Sequence, residues 1–346
     1  MSFFVRDNLG QQPGQPGTAF SASPDIILAG AQPALDPAQF ATPAGYATDY
    51  GGVVVQAQPN FVYLRALGTG APPQSGRAWL FYTDSALALW PSQWRGDMIE
   101  VAGNPANYQA VTASAQDQVC QPDLPFVWMP PFEQPGSHYC MISWWESPPA
   151  EPPTSPVEGL PAFTTFDALV TFVLDHPQMG WRNVVDVSQA GPDWTQTTSL
   201  TGPTPAQPFL IGVQCHDMPT DGAFSFMVPG PTPDIPTIVM PASGRQPILN
   251  PDFQCMAMVS DWPSGAQSSI TLNYWQGATA PPQGATITVI LTIPAEQAST
   301  ELTERVRAER PDLLHRPAAM AAGEGTEKTE ERLSEGIVIG AVTYRF

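Results

Sequence analysis

The stretch that decides the fold is GATITVILTI, Gly284–Ile293. Ala285, Ile287, Val289, Leu291 and Ile293 share one parity, and Thr286, Thr288 and Thr292 share the other. Successive side chains of a strand point to opposite faces, so this is a strand with one buried and one solvated face. Five more strand runs precede it: FLIGVQC (Phe209–Cys215), GAFSFMV (Gly222–Val228), PTIVM (Pro236–Met240), FQCMAMVS (Phe253–Ser260) and SITLNYW (Ser269–Trp275). Turn residues separate them. Short strands at such spacing predict an immunoglobulin-like β-sandwich over residues 189–294.

Composition agrees. The 346 residues include 41 prolines and 28 glycines, and proline fits neither helix interiors nor central strands. A helical bundle and a doubly wound α/β fold are therefore excluded, and an all-β chain with long Pro-rich loops is expected. The length suits two domains plus tails.

The first half carries its own strand runs. NFVYLRALGTG (Asn60–Gly70) alternates Phe61, Tyr63 and Arg65 with Val62, Leu64 and Ala66, and ends on a turn signal. GRAWLFYTD (Gly76–Asp84), PFVWMPPF, HYCMISWWES and WRNVVDV (Trp181–Val187) follow, and Val53–Val55 begins a further β-prone run. APPQS joins the first two as a hairpin or an inter-sheet connection. The spacing in TTFDALVTFVLDHP predicts one short helix, capped by Thr164 or Thr165, stopped at Pro177, and crossing the end of a sandwich. Residues 1–22 read as an arm, 23–188 as a first β-sandwich and 189–294 as a second. Residues 295–346 read as a charged helix, a linker and a C-terminal strand, GIVIGAVTYRF.

Charge narrows the partners. Thirty-two acidic residues against 13 basic give a net charge of −19, and Lys328 is the sole lysine. Phosphate backbones and anionic membranes need clustered Lys and Arg, so nucleic acid is excluded as a partner. No apolar run is long enough for a transmembrane helix. The N-terminus lacks the pattern of a standard secretory signal, which predicts a protein made in the cytoplasm that stays there or leaves by another route, outside the cell or on a particle.

No catalytic, cofactor or metal motif is present. His138 and Cys140 share a strand parity, and His216 and Asp217 follow Cys215, but neither pair has zinc spacing. There is no G-x-S-x-G elbow and no phosphate-binding glycine loop. Cys120, Cys140, Cys215 and Cys255 read either as buried free thiols or as two disulfides, Cys120–Cys140 and Cys215–Cys255. Arg95-Gly96-Asp97 spells an adhesive tripeptide, against a reading as an ordinary turn. Trp79 and Trp181 are core candidates. Trp144 and Trp145 are adjacent, so one of them lies outside the core of its own sheet, covered by the proline-rich linker Pro148–Pro161 or by a partner.

The first half resembles bacterial immunoglobulin-like β-sandwich modules of the CARDB and gingipain-associated type. The carrying residues are SPDI (Ser23–Ile26), NFVYLRALGTG (Asn60–Gly70), GRAWLFYTDSALALWPSQW (Gly76–Trp94), PGSHYCMISWWESP (Pro135–Pro148) and WRNVVDV (Trp181–Val187). The resemblance implies adhesion, spacing or assembly, with no catalytic residues to carry over.

The expectation is a non-enzymatic structural or assembly protein of tandem β-sandwiches, pairing with copies of itself or with a larger bacterial or phage-like assembly. The alternatives are a secreted adhesin or carbohydrate-binding module, with glycan as ligand, and a viral capsid or tail protein. The interaction candidates are Trp144, Trp145, Ile337, Ile339, Val342, Tyr344 and Phe346. The last five lie on a β-prone segment that pairs either with its own sandwich or with a neighbouring subunit.

Overall fold

A computed structural model describes residues 3–15, 22–52, 54–55, 57–84, 86–131, 139–184, 192–242, 244–260, 262–282, 284–315 and 335–346. The chain is mostly antiparallel β and forms two compact units. The first comprises Met1–Asp84, Leu89–Ala162 and Phe172–Ser188; the second comprises Ser85–Ala88, Phe163–Thr171 and Gln189–Phe346.

The strands of the first unit are β1 (Phe3–Phe4), β2 (Ile26–Gly30), β3 (Asn60–Leu64), β4 (Ala66–Gly68), β5 (Gln74–Asp84), β6 (Ile99–Val101), β7 (Asn104–Pro105), β8 (Tyr108–Ala113), β9 (Val119–Cys120), β10 (Phe126–Trp128), β11 (Tyr139–Glu146) and β12 (Met179–Val184). They pair as β2-β3-β10-β6-β7, β12-β11-β5-β8 and a small β1-β4-β9 sheet. One parity from each large sheet meets in a common core: Val62 and Leu64 from β3, Leu80 and Tyr82 from β5, Met141 and Trp145 from β11. APPQS therefore crosses between sheets and does not close a hairpin. Val54 and Val55 lie outside any strand, although Val54 is buried.

The N-terminal residues are not a free arm. Phe3 and Phe4 pair with Gly68 and Leu67, and Phe3, Phe4, Val5 and Arg6 are all buried. Burial of the apolar Phe3, Phe4 and Val5 outweighs the conformational freedom that the Gln-Pro-Gly composition after them suggests. Arg6 reaches Asp25, whose carboxylate also accepts from Arg65 Nε at 2.9 Å. Arg65, read as one member of an alternating strand, is fully buried, and it donates to the carbonyls of Gly45, Pro24 and Thr48. Two guanidiniums on one carboxylate thus fasten the N-terminal segment and the 34–50 excursion to β2 and β3. The Tyr46 ring lies 3.3 Å from the Arg6 guanidinium carbon, and burial raises its phenol well above the usual range.

The strands of the second unit are β13 (Asp193–Thr201), β14 (Phe209–His216), β15 (Ala223–Val228), β16 (Ile238–Met240), β17 (Gln246–Pro247), β18 (Gln254–Val259), β19 (Gln267–Trp275), β20 (Thr286–Pro294), β21 (Leu314–His315) and β22 (Gly336–Arg345). One sheet has the order β13-β19-β15-β16, with β17 also on β15, and the other β18-β14-β20-β22-β21. The expected parity of Gly284–Ile293 is observed: Ala285, Ile287, Val289, Leu291 and Ile293 are buried. Thr292, expected on the solvated face, is buried too.

The C-terminal strand belongs to its own sandwich. β22 pairs with β20 from Thr286 opposite Arg345 to Pro294 opposite Gly336. Intramolecular pairing pays no association entropy, so β22 is not available to a neighbouring subunit. The charged helix is α1 (Thr300–Glu309), with Ser299 as its cap: the Ser299 hydroxyl accepts from Leu302 N–H at 3.2 Å. It counts with the second unit, so residues 295–346 are not a separate appendage.

Candidate binding face

The sequence-derived interaction candidates are interior residues. Trp145 lies in the core of the first unit, its ring 5.4 Å from Phe3. Trp144 points the other way and is covered by Trp94, Phe172 and His176, with ring centroids at 6.5, 5.8 and 4.9 Å. The cover is the last turns of the Phe166–Asp175 helix and a turn around Pro91–Trp94, not a partner or the proline-rich linker. Trp79 and Trp181 are buried on that same outer layer, not in the central core. Ile337, Ile339, Val342 and Tyr344 are buried, and Phe346 packs on Trp194 and Tyr274. None of them offers a free surface.

The remaining candidates are placed as follows. Arg95 and Asp97 are exposed, but each is held: Arg95 by Asp84, and Asp97 by the Tyr82 hydroxyl at 3.1 Å. His216 is exposed between Asp252 at 2.9 Å and Asp217 at 3.8 Å. Among the described residues no group of three or more His, Cys, Asp and Glu is arranged to hold a metal ion. His138 lies outside the described residues. All four cysteines are free and buried. Burial pushes the Cys215 and Cys255 thiols up to about 12 and that of Cys120 to about 11, which leaves them unreactive.

What the side chains do build is an outward face on β13, β19 and β15. Register places Thr195 opposite Asn273 and Asn273 opposite Ser225. The Thr195 hydroxyl donates to Asn273 Oδ1 at 2.8 Å, and Asn273 Nδ2 donates to Ser225 Oγ at 3.3 Å. The next rung runs Thr197, Thr271, Met227 and Val239, with the two threonine hydroxyls 3.3 Å apart. Ser199 and Ser269 form the rung after that. On the other side the Asp193 rung brings in Trp275, whose ring carries the Arg245 guanidinium carbon 4.2 Å from its centroid. Met227 and Val239 are exposed. The three central rungs hold no charged residue in a chain of net charge −19.

The local reason is alternation. Thr195, Thr197 and Ser199 of β13 and Ser269, Thr271 and Asn273 of β19 alternate as small polar residues with Leu200, Ile270, Leu272 and Tyr274, which are core. The threonine-rich parity of these strands was the signal that could have exposed this face. A search for aromatic residues alone passes over it.

No protein-family model matches the chain, and no curated protein does. Among solved structures, red sea bream transglutaminase matches at 12% identity and TM-score 0.19, over 68% of this chain and 27% of its own. The secreted serine protease VesC from Vibrio cholerae matches at 11% identity and TM-score 0.20, over 68% and 47%. The collagen-binding domain of the Erysipelothrix rhusiopathiae surface protein RspB matches at 11% identity and TM-score 0.18, over 70% and 83%. The chain thus spans less than half the length of the transglutaminase and of the protease. At these TM-scores the likenesses decide neither fold nor function.

Proposed function

We propose that the protein is a non-enzymatic structural and binding protein of two β units, which acts by surface contact with other chains and with a neutral, polyhydroxylated ligand, a glycan. The observation that carries the reading is the uncharged pair Thr195–Asn273, backed by the buried Ser225, beside Thr197–Thr271. Hydroxyls and an amide offer both donors and acceptors, as a sugar does, and Trp275 stands at the margin as an apolar platform. The uncharged rungs suit a ligand that carries no net charge.

A glycan array probed with the purified full chain tests the reading. Neutral glycans should bind, and Asn273→Leu should weaken binding roughly three- to tenfold, the value of one or two hydrogen bonds. Asn273→Gln should restore part of it. If no neutral glycan binds, or if Asn273→Leu binds like the parent chain, the face is only a solvated sheet surface.

A further inference from the structure

The free edge of β13 borders this face. The Gln276 N–H donates to Pro192 O at 3.2 Å and the Gly202 N–H to Ala266 O at 2.9 Å. These bonds fix the phase: even-numbered residues of β13 turn their backbone groups toward β19, and odd-numbered ones turn them away. Ser199 is odd, and its carbonyl accepts from Leu87 N–H at 3.1 Å. Residues 86–88 form a strap there, and Gly340 permits it: a side chain at 340 would overlap the Leu87 carbonyl. The strap stops short of Thr197. The backbone groups of Asp193, Thr195 and Thr197 have no partner among the described residues.

Two other edges of this unit are short, whereas β18, six residues long, is a second full-length edge. β16 is three residues long between Pro236 and Pro241, and β21 is two residues long. The open part of β13 has no proline, bulge or lysine, the usual protections of an edge.

We infer that β13 of a second copy of this chain pairs antiparallel along Asp193–Thr197, about a two-fold axis at Thr195. In that register Thr195 faces its own copy, and Asp193 faces Thr197 of the other. All three outward residues on each strand are then paired. Trp194 comes opposite Gln196 twice. The two Asp193 carboxylates stay about 14 Å apart, four residues along a strand. The strap ends the open segment at the fifth residue, which matches the length the two-fold uses. The pairing is isologous, so it closes as a dimer and does not grow into a filament. It also joins the two hydroxyl faces into one wider surface. It does not depend on the glycan reading.

Five-residue strands bury little area, so the dimer is weak and concentration-dependent. Each copy carries −19, so association must strengthen with salt, whereas pairing with a basic partner would weaken. Sedimentation of the full chain at low salt and at about 0.5 M, where the Debye length is roughly 4 Å, measures this. Two lysine variants with the same net charge then read the register. Thr195→Lys sets like charges opposite each other and should weaken the dimer at least roughly fivefold. Thr197→Lys meets Asp193 of the copy twice and should tighten it roughly two- to thirtyfold. Thermal unfolding confirms that both variants fold; Thr195→Cys, cross-linked to itself by a short bismaleimide, supplies a second readout. A monomer at every concentration and salt overturns the proposal. So does equal weakening by both lysines, or a dimer that Thr195→Cys fails to cross-link. Loss of glycan binding by Asn273→Leu with dimerisation intact tests the other reading separately.

Discussion

Trp144 and Trp145 are consecutive residues of β11 that lie in two different apolar layers: Trp145 in the central core of the first unit, and Trp144 under Trp94, Phe172 and His176 on the outer face of the same sheet. Their separation follows from strand geometry alone, but the existence of the second layer does not. Trp145→Ala should cost about 3–5 kcal/mol by opening a cavity in the core. Trp144→Ala should cost about 3 kcal/mol, near the bottom of that range, because the central core stays filled. Chemical denaturation of both variants checks the order; a reversed order places the main core on the outer face.

Asp25 carries the charge of two buried guanidiniums, with Arg65 Nε at 2.9 Å and Arg6 Nε at 3.1 Å from its oxygens. Asp25→Ala should destabilise the first unit by about 3–5 kcal/mol, since it strands two buried cations. Adding Arg6→Met should recover part of that loss. A double variant as unstable as the single one would show that Arg6 does not act through Asp25.

A chain ending at Thr300 should lose the folding transition of the second unit. β22 lies between β20 and β21, and its removal uncovers Ile287, Val289 and Leu291 while turning β20 into an edge. Near-ultraviolet circular dichroism with calorimetry reads this. A shortened chain that keeps the transition would mean β22 is an accessory strand.

His315 is buried on β21, its Nε2 unpartnered, and burial holds its pKa below the ordinary 6.5. The unfolded chain therefore binds the proton first as pH falls. Stability is intact above about pH 6.5 and drops progressively below it, down to the folded-state pKa. Unfolding free energies between pH 8 and 5 should fall less steeply in His315→Gln than in the parent. Identical slopes would assign the acid sensitivity to other groups.

Local sequence pattern was enough to show an all-β chain. Proline and glycine content excluded helical folds, and the parity of Gly284–Ile293 placed the core face of that strand, with Thr292 buried besides, because period-two alternation is a local property of a strand. Even the opposite facing of Trp144 and Trp145 was legible. What covers Trp144 was not, since Trp94 and Phe172 lie 50 and 28 residues away along the chain. Nor could composition show that Phe3–Arg6 is held by Asp25 and β4, or that β22 returns to β20 across the 41 residues between Pro294 and Gly336. The hydroxyl face and the β13 edge exist only in register. Their residues are ordinary threonines, serines and an asparagine until Thr195, Asn273 and Ser225 are set side by side on three strands. Alternation fixes which way a side chain points; only long-range pairing decides what it meets.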